Sequence, residues 1–273
     1  MSEGVTGSHR HIKSGSAIVD KESSNTRGIA LGGTARSPDD VAMLYDLGLD
    51  FAEVSLKDMS SFTKSISDFT ELRSKTNLFY LCHGPNEGDP NDTAYLREHY
   101  LPSILEILDI MPMLNMSLLT LHLWVDHRFV KPHVINLKIE LLEQIIEKAG
   151  KSDIKICLEN LSEDCKDLDK VFKALSQLYL TLDVGHAQLL RSKTTAFDLI
   201  TAYPHRIKHL HLHDNLGGNS VDDDLHLPVG DGNVDFCGIL GALKEAGYRG
   251  TATLELKPEE IKRCLAFVRT FLW

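Results

Sequence analysis

At 273 residues, 42% hydrophobic and 25% charged, the chain has the composition of a folded globular protein with a full-sized core, not that of a disordered segment. Its formal net charge of −10 opposes non-specific attachment to a polyanion, and no apolar run reaches the roughly 18 residues of a membrane span. The five cysteines (Cys82, Cys157, Cys165, Cys237, Cys264) are odd in number and form no CxxC pair, which argues against a disulfide framework or a four-cysteine zinc site and suits a reducing, cytoplasmic setting.

Residues 1–27 are rich in Ser, Gly and charge, lack periodicity and lack the apolar core of a signal peptide, so a mobile tail is expected there. From Gly28 onward, short β-type runs alternate with stretches of helical spacing, one pair in about every 25 to 35 residues. GIALGG (28–33) comes first, and Ser37-Pro38-Asp39-Asp40 then offers an N-cap, a proline at the first helical position and early acids. DFAEVSL (50–56), NLFYLCH (77–83) and SLLTLHLW (117–124) follow as strands, and LKIELLEQIIEKAG reads as a helix ending on Gly150. IKICLEN (154–160), LYLTLDVGH (178–186) and IKHLHLHDN (207–215) continue the series. VDFCGILGALKEAG is a helix ending on Gly247, GTATLELK (250–257) is the eighth strand, and PEEIKRCLAFVRTFLW closes the chain as a helix. Eight strands each followed by a helix predict a single-domain (β/α)8 TIM barrel over residues 28–273, with an open doubly wound sheet as the competing topology.

In such a barrel the active site lies at the C-terminal ends of the strands. His83, His122, Glu159, Asp183, His186, His211 and Glu255 all fall there. On the seventh strand, alternation turns His209, His211 and His213 to one face, and the following loop carries Asp222, Asp223, Asp224 and His226. Imidazole nitrogens mixed with carboxylate oxygens suit zinc or manganese. Glu159 and Glu255 sit among apolar neighbours, where an unpaired carboxylate is costly; Lys155, Lys257 and Lys13 are near in sequence, but none is placed at the centre of the barrel mouth. A divalent cation would neutralise these carboxylates at once.

The runs CLEN, LDVGHA, HLHDN with DLHLPVGDG, and TLELKP resemble the xylose isomerase-like barrel superfamily, which includes sugar and sugar-phosphate isomerases and epimerases and the endonuclease IV family (AP endonuclease family 2). The resemblance covers residues 28–273. It implies, from the isomerase branch, one divalent ion held by Glu159, Asp183, His211 and Glu255. From the endonuclease branch it implies up to three: His83 and His122 with Glu159 bridging, the central set, and His186 with Asp224 and His226.

Two reactions follow. An isomerase or epimerase moves a proton next to a carbonyl and needs acid–base groups and a cation to stabilise an enediolate; Glu159 and Glu255 are the natural catalytic pair, with Glu53, His213 and Lys257 meeting substrate hydroxyls or phosphate. A zinc-dependent phosphoester hydrolase would use the full ligand set. Against DNA stand GPNEGDP after His83, where the endonucleases carry a Tyr and an apolar residue, and LDVGHA, which departs from their Asp-Thr-Cys-His form. The expected reading is a metal-dependent isomerase or epimerase of a small sugar or sugar phosphate, with the hydrolase as alternative. A nucleic-acid or membrane partner is not expected, and a homo-oligomer is compatible with the sequence.

Overall fold

The computed structural model describes Met1, residues 28–56 and residues 59–272, so the tail expected over residues 1–27 lies, Met1 apart, outside the described residues. Eight parallel strands form a closed barrel in chain order: β1 (Ala30–Ala35), β2 (Phe51–Ser55), β3 (Phe79–His83), β4 (Leu118–Leu121), β5 (Lys155–Glu159), β6 (Tyr179–Asp183), β7 (Ile207–Leu212) and β8 (Thr251–Leu254). Pairing of β8 with β1, Ala30 opposite Thr251 through Gly33 opposite Leu254, closes the ring and rules out the open doubly wound sheet. No helix among the described residues is long and apolar enough to cross a membrane.

The main surrounding helices are α1 (Pro38–Asp46), α2 (Met59–Thr76), α3 (Leu101–Ile110), α4 (Pro132–Gly150), α5 (Cys165–Ala174), α6 (Ala196–Ala202), α7 (Phe236–Glu245) and α8 (Pro258–Arg269). The first starts as its sequence dictates: the Ser37 hydroxyl accepts from the Asp40 N–H, and the Asp40 carboxylate accepts from the Ser37 N–H. Helix α4 buries Val134, Leu137, Leu141, Leu142 and Ile145 at helical spacing, and Lys138 lies within the same buried face.

Most strands are shorter than the apolar runs that predict them. The run 117–124 yields only Leu118–Leu121, and the run 250–257 only Thr251–Leu254. Residues beyond the last ladder bond remain sheltered by the loops, so their composition stays strand-like after the ladder has ended. His122, His186, His213 and Glu255 stand just past strand ends for this reason.

The barrel interior is layered. Phe51, Leu81, Leu118 and Cys157 fill the lower end as an apolar plug. Polar side chains replace them further up: Thr120 bonds Thr181 at 2.9 Å, and His209 bonds Thr251 at 2.6 Å and Thr253 at 3.1 Å. The ligand-type residues cap this layer at the C-terminal mouth, where the fold places its loops.

Candidate metal centre

Glu159, at the end of β5, is the hub of the mouth. Its Oε2 lies 2.8 Å from His122 Nε2 and 3.4 Å from His83 Nε2, while its Oε1 lies 3.1 Å from His186 Nδ1 and 3.3 Å from His211 Nδ1. His211 Nδ1 also faces Glu255 Oε2 at 3.5 Å and Asp183 Oδ2 at 3.7 Å. Asp224 Oδ2 receives His186 Nε2 at 3.2 Å and His226 Nε2 at 3.1 Å. All nine expected ligands therefore converge on one mouth. They fall into overlapping groups whose donor atoms lie within 4.8 Å of one another, among them His83/His122/Glu159, Glu159/Asp183/His211/Glu255, and His186/His213/Asp224/His226.

Eleven buried side-chain polar atoms among the described residues have no hydrogen-bond partner, and nine belong to this cluster, including Glu159 Oε1, Asp183 Oδ2, His211 Nδ1 and Glu255 Oε2. Native interiors rarely leave such atoms orphaned, and here they aim at one another across contact distances too poorly aligned for hydrogen bonds. Mixed nitrogen and oxygen donors at this spacing fit a first-row divalent cation.

The electrostatics agree. Burial pushes Glu159 up, yet His122 and His211 hold it well below the usual carboxylate range. Burial disfavours a charged His211, but Glu159, Glu53 and Glu255 outweigh it and raise the imidazole well above its ordinary value. His186 is raised likewise by Asp183 and Asp224 against burial. His226 reaches about 9, burial opposing and Asp224 and Glu255 raising. Protonated imidazoles would balance these carboxylates, and a cation held by the same donors would displace the protons.

Short motifs position these groups. Asn160, after Glu159, locks β5 to β6: its amide donates to the Asp183 carbonyl and accepts from the Asp183 N–H, both at 2.9 Å. Gly185 is required by close approach, since a Cβ there would stand 2.3 Å from His213 Cε1. Asp214 staples the DLHLPVGDG loop by accepting the N–H groups of Asn215, Gly230, Gly232 and Val234, and its backbone pairs with Leu227. That staple holds Asp224 and His226 over the barrel. His226 itself is left-handed, with φ 46°, and its ring stacks on His213 at 3.9 Å.

The structure separates the expected residues by depth. Glu255, Lys257, His83, His122, His186, Asp224 and His226 line a cavity of about 340 Å³, together with Arg36, Thr34 and Ser55. Glu159, Asp183 and His211 are fully buried beneath it. Glu53 and His213, expected to meet substrate, are also sealed, at 1% and 0% exposure. Glu53 accepts from His211 Nε2 at 3.1 Å and lies 3.3 Å from His209 Nε2, while His213 Nε2 faces Asp183 Oδ1 at 3.1 Å.

Sequence reasoning missed a buried charged network beside the mouth. Lys138 Nζ lies 2.6 Å from Glu87 Oε2, and the neighbouring Glu163 accepts from the N–H groups of Val125, Leu161 and Ser162. Burial pushes Glu87 up to about 7 even with Lys138 beside it. The signal was present in α4, where Lys138 occupies a position of the apolar stripe.

A family model described as xylose isomerase-like TIM barrel matches residues 41–271. The chain belongs to this family. It is 28% identical over 218 residues to an uncharacterized protein of Methanocaldococcus jannaschii, covering 71% of this chain and 70% of the relative. Among solved structures it is similar to a D-tagatose 3-epimerase-like protein (TM-score 0.77, 22% identity, 89% of this chain and 97% of the other). It is also similar to the IolI protein with a bound zinc atom (0.72, 17%, 89% and 96%) and to the E. coli 3-keto-D-glucoside 4-epimerase in its apo form (0.68, 16%, 89% and 99%). At these identities the likeness establishes the shared fold.

Proposed function

We propose that the protein is a divalent-metal-dependent isomerase or epimerase of a small sugar or sugar phosphate. The observation that carries this reading is the convergence of unpartnered donors of Glu159, Asp183 and His211, directly under a cavity of small-molecule size, with Glu255, which lines it. Fold neighbours that act on sugars support it: besides those above, D-allulose 3-epimerase of Methylomonas sp. shares the fold at TM-score 0.72. Zinc or manganese suits the donors, and a cytoplasmic location fits the free cysteines.

When bound, the cation would polarise a substrate carbonyl and its neighbouring hydroxyl as a Lewis acid. Glu255, the less buried of the two glutamates, reaches the cavity and is placed to take or return the proton of the intervening C–H carbon; Glu159, at the end of β5, is the partner acid–base group. Lys257 and Arg36 stand exposed on the rim, where a phosphate or hydroxyl of the substrate would arrive. His213 orients Asp183. Glu53 orients His211 by holding Nε2, which leaves Nδ1 for the cation, the carboxylate–histidine–metal arrangement. Glu53→Met is therefore expected to weaken zinc affinity by about 10- to 100-fold in a folded chain, read by competitive chelator titration; an unchanged affinity would reject this role.

The deciding experiment incubates the metal-loaded protein with ketoses and ketose phosphates in deuterium oxide and follows exchange at the carbon beside the carbonyl by NMR. Exchange that vanishes on chelation supports the reading, and its absence across the panel counts against it. A second reading, zinc-dependent phosphoester hydrolysis of the endonuclease IV type, is favoured by one observation: His186, Asp224 and His226 form a further ligand group beside the central one. Asp224→Ala with His226→Ala should remove one metal equivalent by elemental analysis if that group binds an ion. Two to three zincs per wild-type chain would shift the assay to abasic-site DNA.

A further inference from the structure

A second hollow, of about 210 Å³, adjoins the ligand cavity. The two share Asn86, His122, His186 and Asp224, but apart from Ser220 the rest of the second wall is apolar: Trp124, Leu161, Leu189, Leu190 and Val221. This wall is held in place by buried charge. The Trp124 N–H donates to Glu87 Oε1 at 2.6 Å, its carbonyl accepts from Lys138 Nζ at 2.7 Å, and its indole N–H donates to Ser162 Oγ at 2.8 Å. The Ser162 hydroxyl donates onward to Asp126 Oδ2 at 2.8 Å; Asp126 pairs with Arg128, and Arg128 Nη1 donates to the Leu190 carbonyl at 2.7 Å. One continuous chain of polar groups thus ties Trp124 on one wall to Leu190 on the other.

Leu190 is held in the left-handed region, φ 55°, with its N–H bonded to the Gly218 carbonyl at 2.8 Å. A branched side chain persists there only when its surroundings over-determine it, and such positions concentrate at ligand clamps. Glu87, Asp126 and Lys138 are 5%, 0% and 0% exposed, and burying ions is costly. These groups hold the backbone and indole of Trp124 and the carbonyl of Leu190 beside the candidate metal centre, the arrangement expected where a binding wall is pre-organised.

We propose that this hollow receives an apolar substituent of the substrate. The substrate is then bipartite, with its reacting oxygens over the ligand cluster and an alkyl or aryl group against Trp124, Leu161 and Leu190, as in a glycoside that carries a ketone on its sugar ring and an apolar aglycone. This deepens the metal-dependent sugar reading and rests on it.

The test uses the zinc-loaded full chain and two metal-directed probes, acetohydroxamate and benzohydroxamate, which present the same two chelating oxygens and differ by phenyl for methyl. Benzohydroxamate is expected to bind at least about tenfold more tightly, the discrimination that a modest apolar group achieves in a fitted pocket. That preference should fall to about threefold or less in Leu190→Gly and in Val221→Asp, with acetohydroxamate affinity little changed. Glycine accepts the left-handed backbone without strain and Val221 is 66% exposed, so both variants are expected to fold. Equal affinity of the two probes for the wild type, or a preference that survives both substitutions, overturns the hollow alone. A chain that takes up no zinc, or a zinc-loaded chain that binds neither probe, overturns the metal reading and the hollow with it.

Discussion

Glu159→Gln is expected to leave a folded chain that has lost at least one divalent ion and whose turnover has fallen on the order of 10³-fold. Glu159 touches His83, His122, His186 and His211 with its two oxygens, so it belongs to two of the candidate ligand groups at once. Gln keeps the volume at the end of β5 and one accepting oxygen, but it replaces an anion by a neutral amide at the point where four imidazoles meet. Two consequences should be measured together: metal per chain by plasma mass spectrometry, and deuterium exchange into the best substrate of the panel. Glu255→Gln separates the roles. Its carboxylate is less central to the histidines and opens on the cavity, so it should reduce proton exchange strongly while retaining more metal than Glu159→Gln. Near-normal turnover in Glu159→Gln would remove it from the site.

The second large effect is on stability. Zinc at about 1,000 times its dissociation constant should stabilise the chain by about 4 kcal/mol, which for a chain of this size raises the thermal midpoint by roughly 7 °C. The shift should grow with pH. In the metal-free chain, the folded pKa of His226 is raised to about 9, and those of His186 and His211 are also raised, by facing carboxylates acting against burial. A histidine with a raised folded pKa contributes stability that is fully present below its unfolded value, near 6.5, and is lost as pH rises through the folded value. The metal-free chain is therefore expected to weaken from pH 6.5 to 9, while the loaded chain, whose imidazoles must be neutral to bind metal, does not. Calorimetry with and without chelator at pH 6.5 and 9 checks this. A chelator effect that shrinks toward pH 9 would contradict it.

Particular residues show why the barrel and the gathering of candidate ligands at its mouth were legible. Strand ends are marked by local pattern, the apolar run followed by a polar residue, and in a parallel barrel every strand delivers its C-terminal end to the same mouth. His83, Glu159 and Asp183 needed no more than that, and the alternation along HLHLH placed His211 with them. Helix α1 and the end of α7 before Gly247, with φ 77°, were equally local, since caps and φ preferences act within a few residues, whereas Gly150 ends α4 without a left-handed φ.

Depth was not local. Glu53 lies mid-strand on β2 and His211 on β7, and only the tilt and stagger of the closed barrel bring the carboxylate beneath the imidazole. The same stagger buries Glu159 and opens Glu255 to the cavity, although both follow a similar apolar run. Glu87, in the loop after β3, finds Lys138 on helix α4, and Arg128 finds the Leu190 carbonyl, contacts between different βα units whose meeting no periodicity encodes. The amino-acid sequence by itself determined the eightfold βα cadence and the set of donors gathered at one mouth, because hydrophobic period and strand-end polarity are short-range properties of the chain. Only the tertiary structure decided which of those donors open on the cavity, which lie buried beneath it, and where an apolar wall stands beside them, because register around the closed barrel and the packing of its loops set those distances.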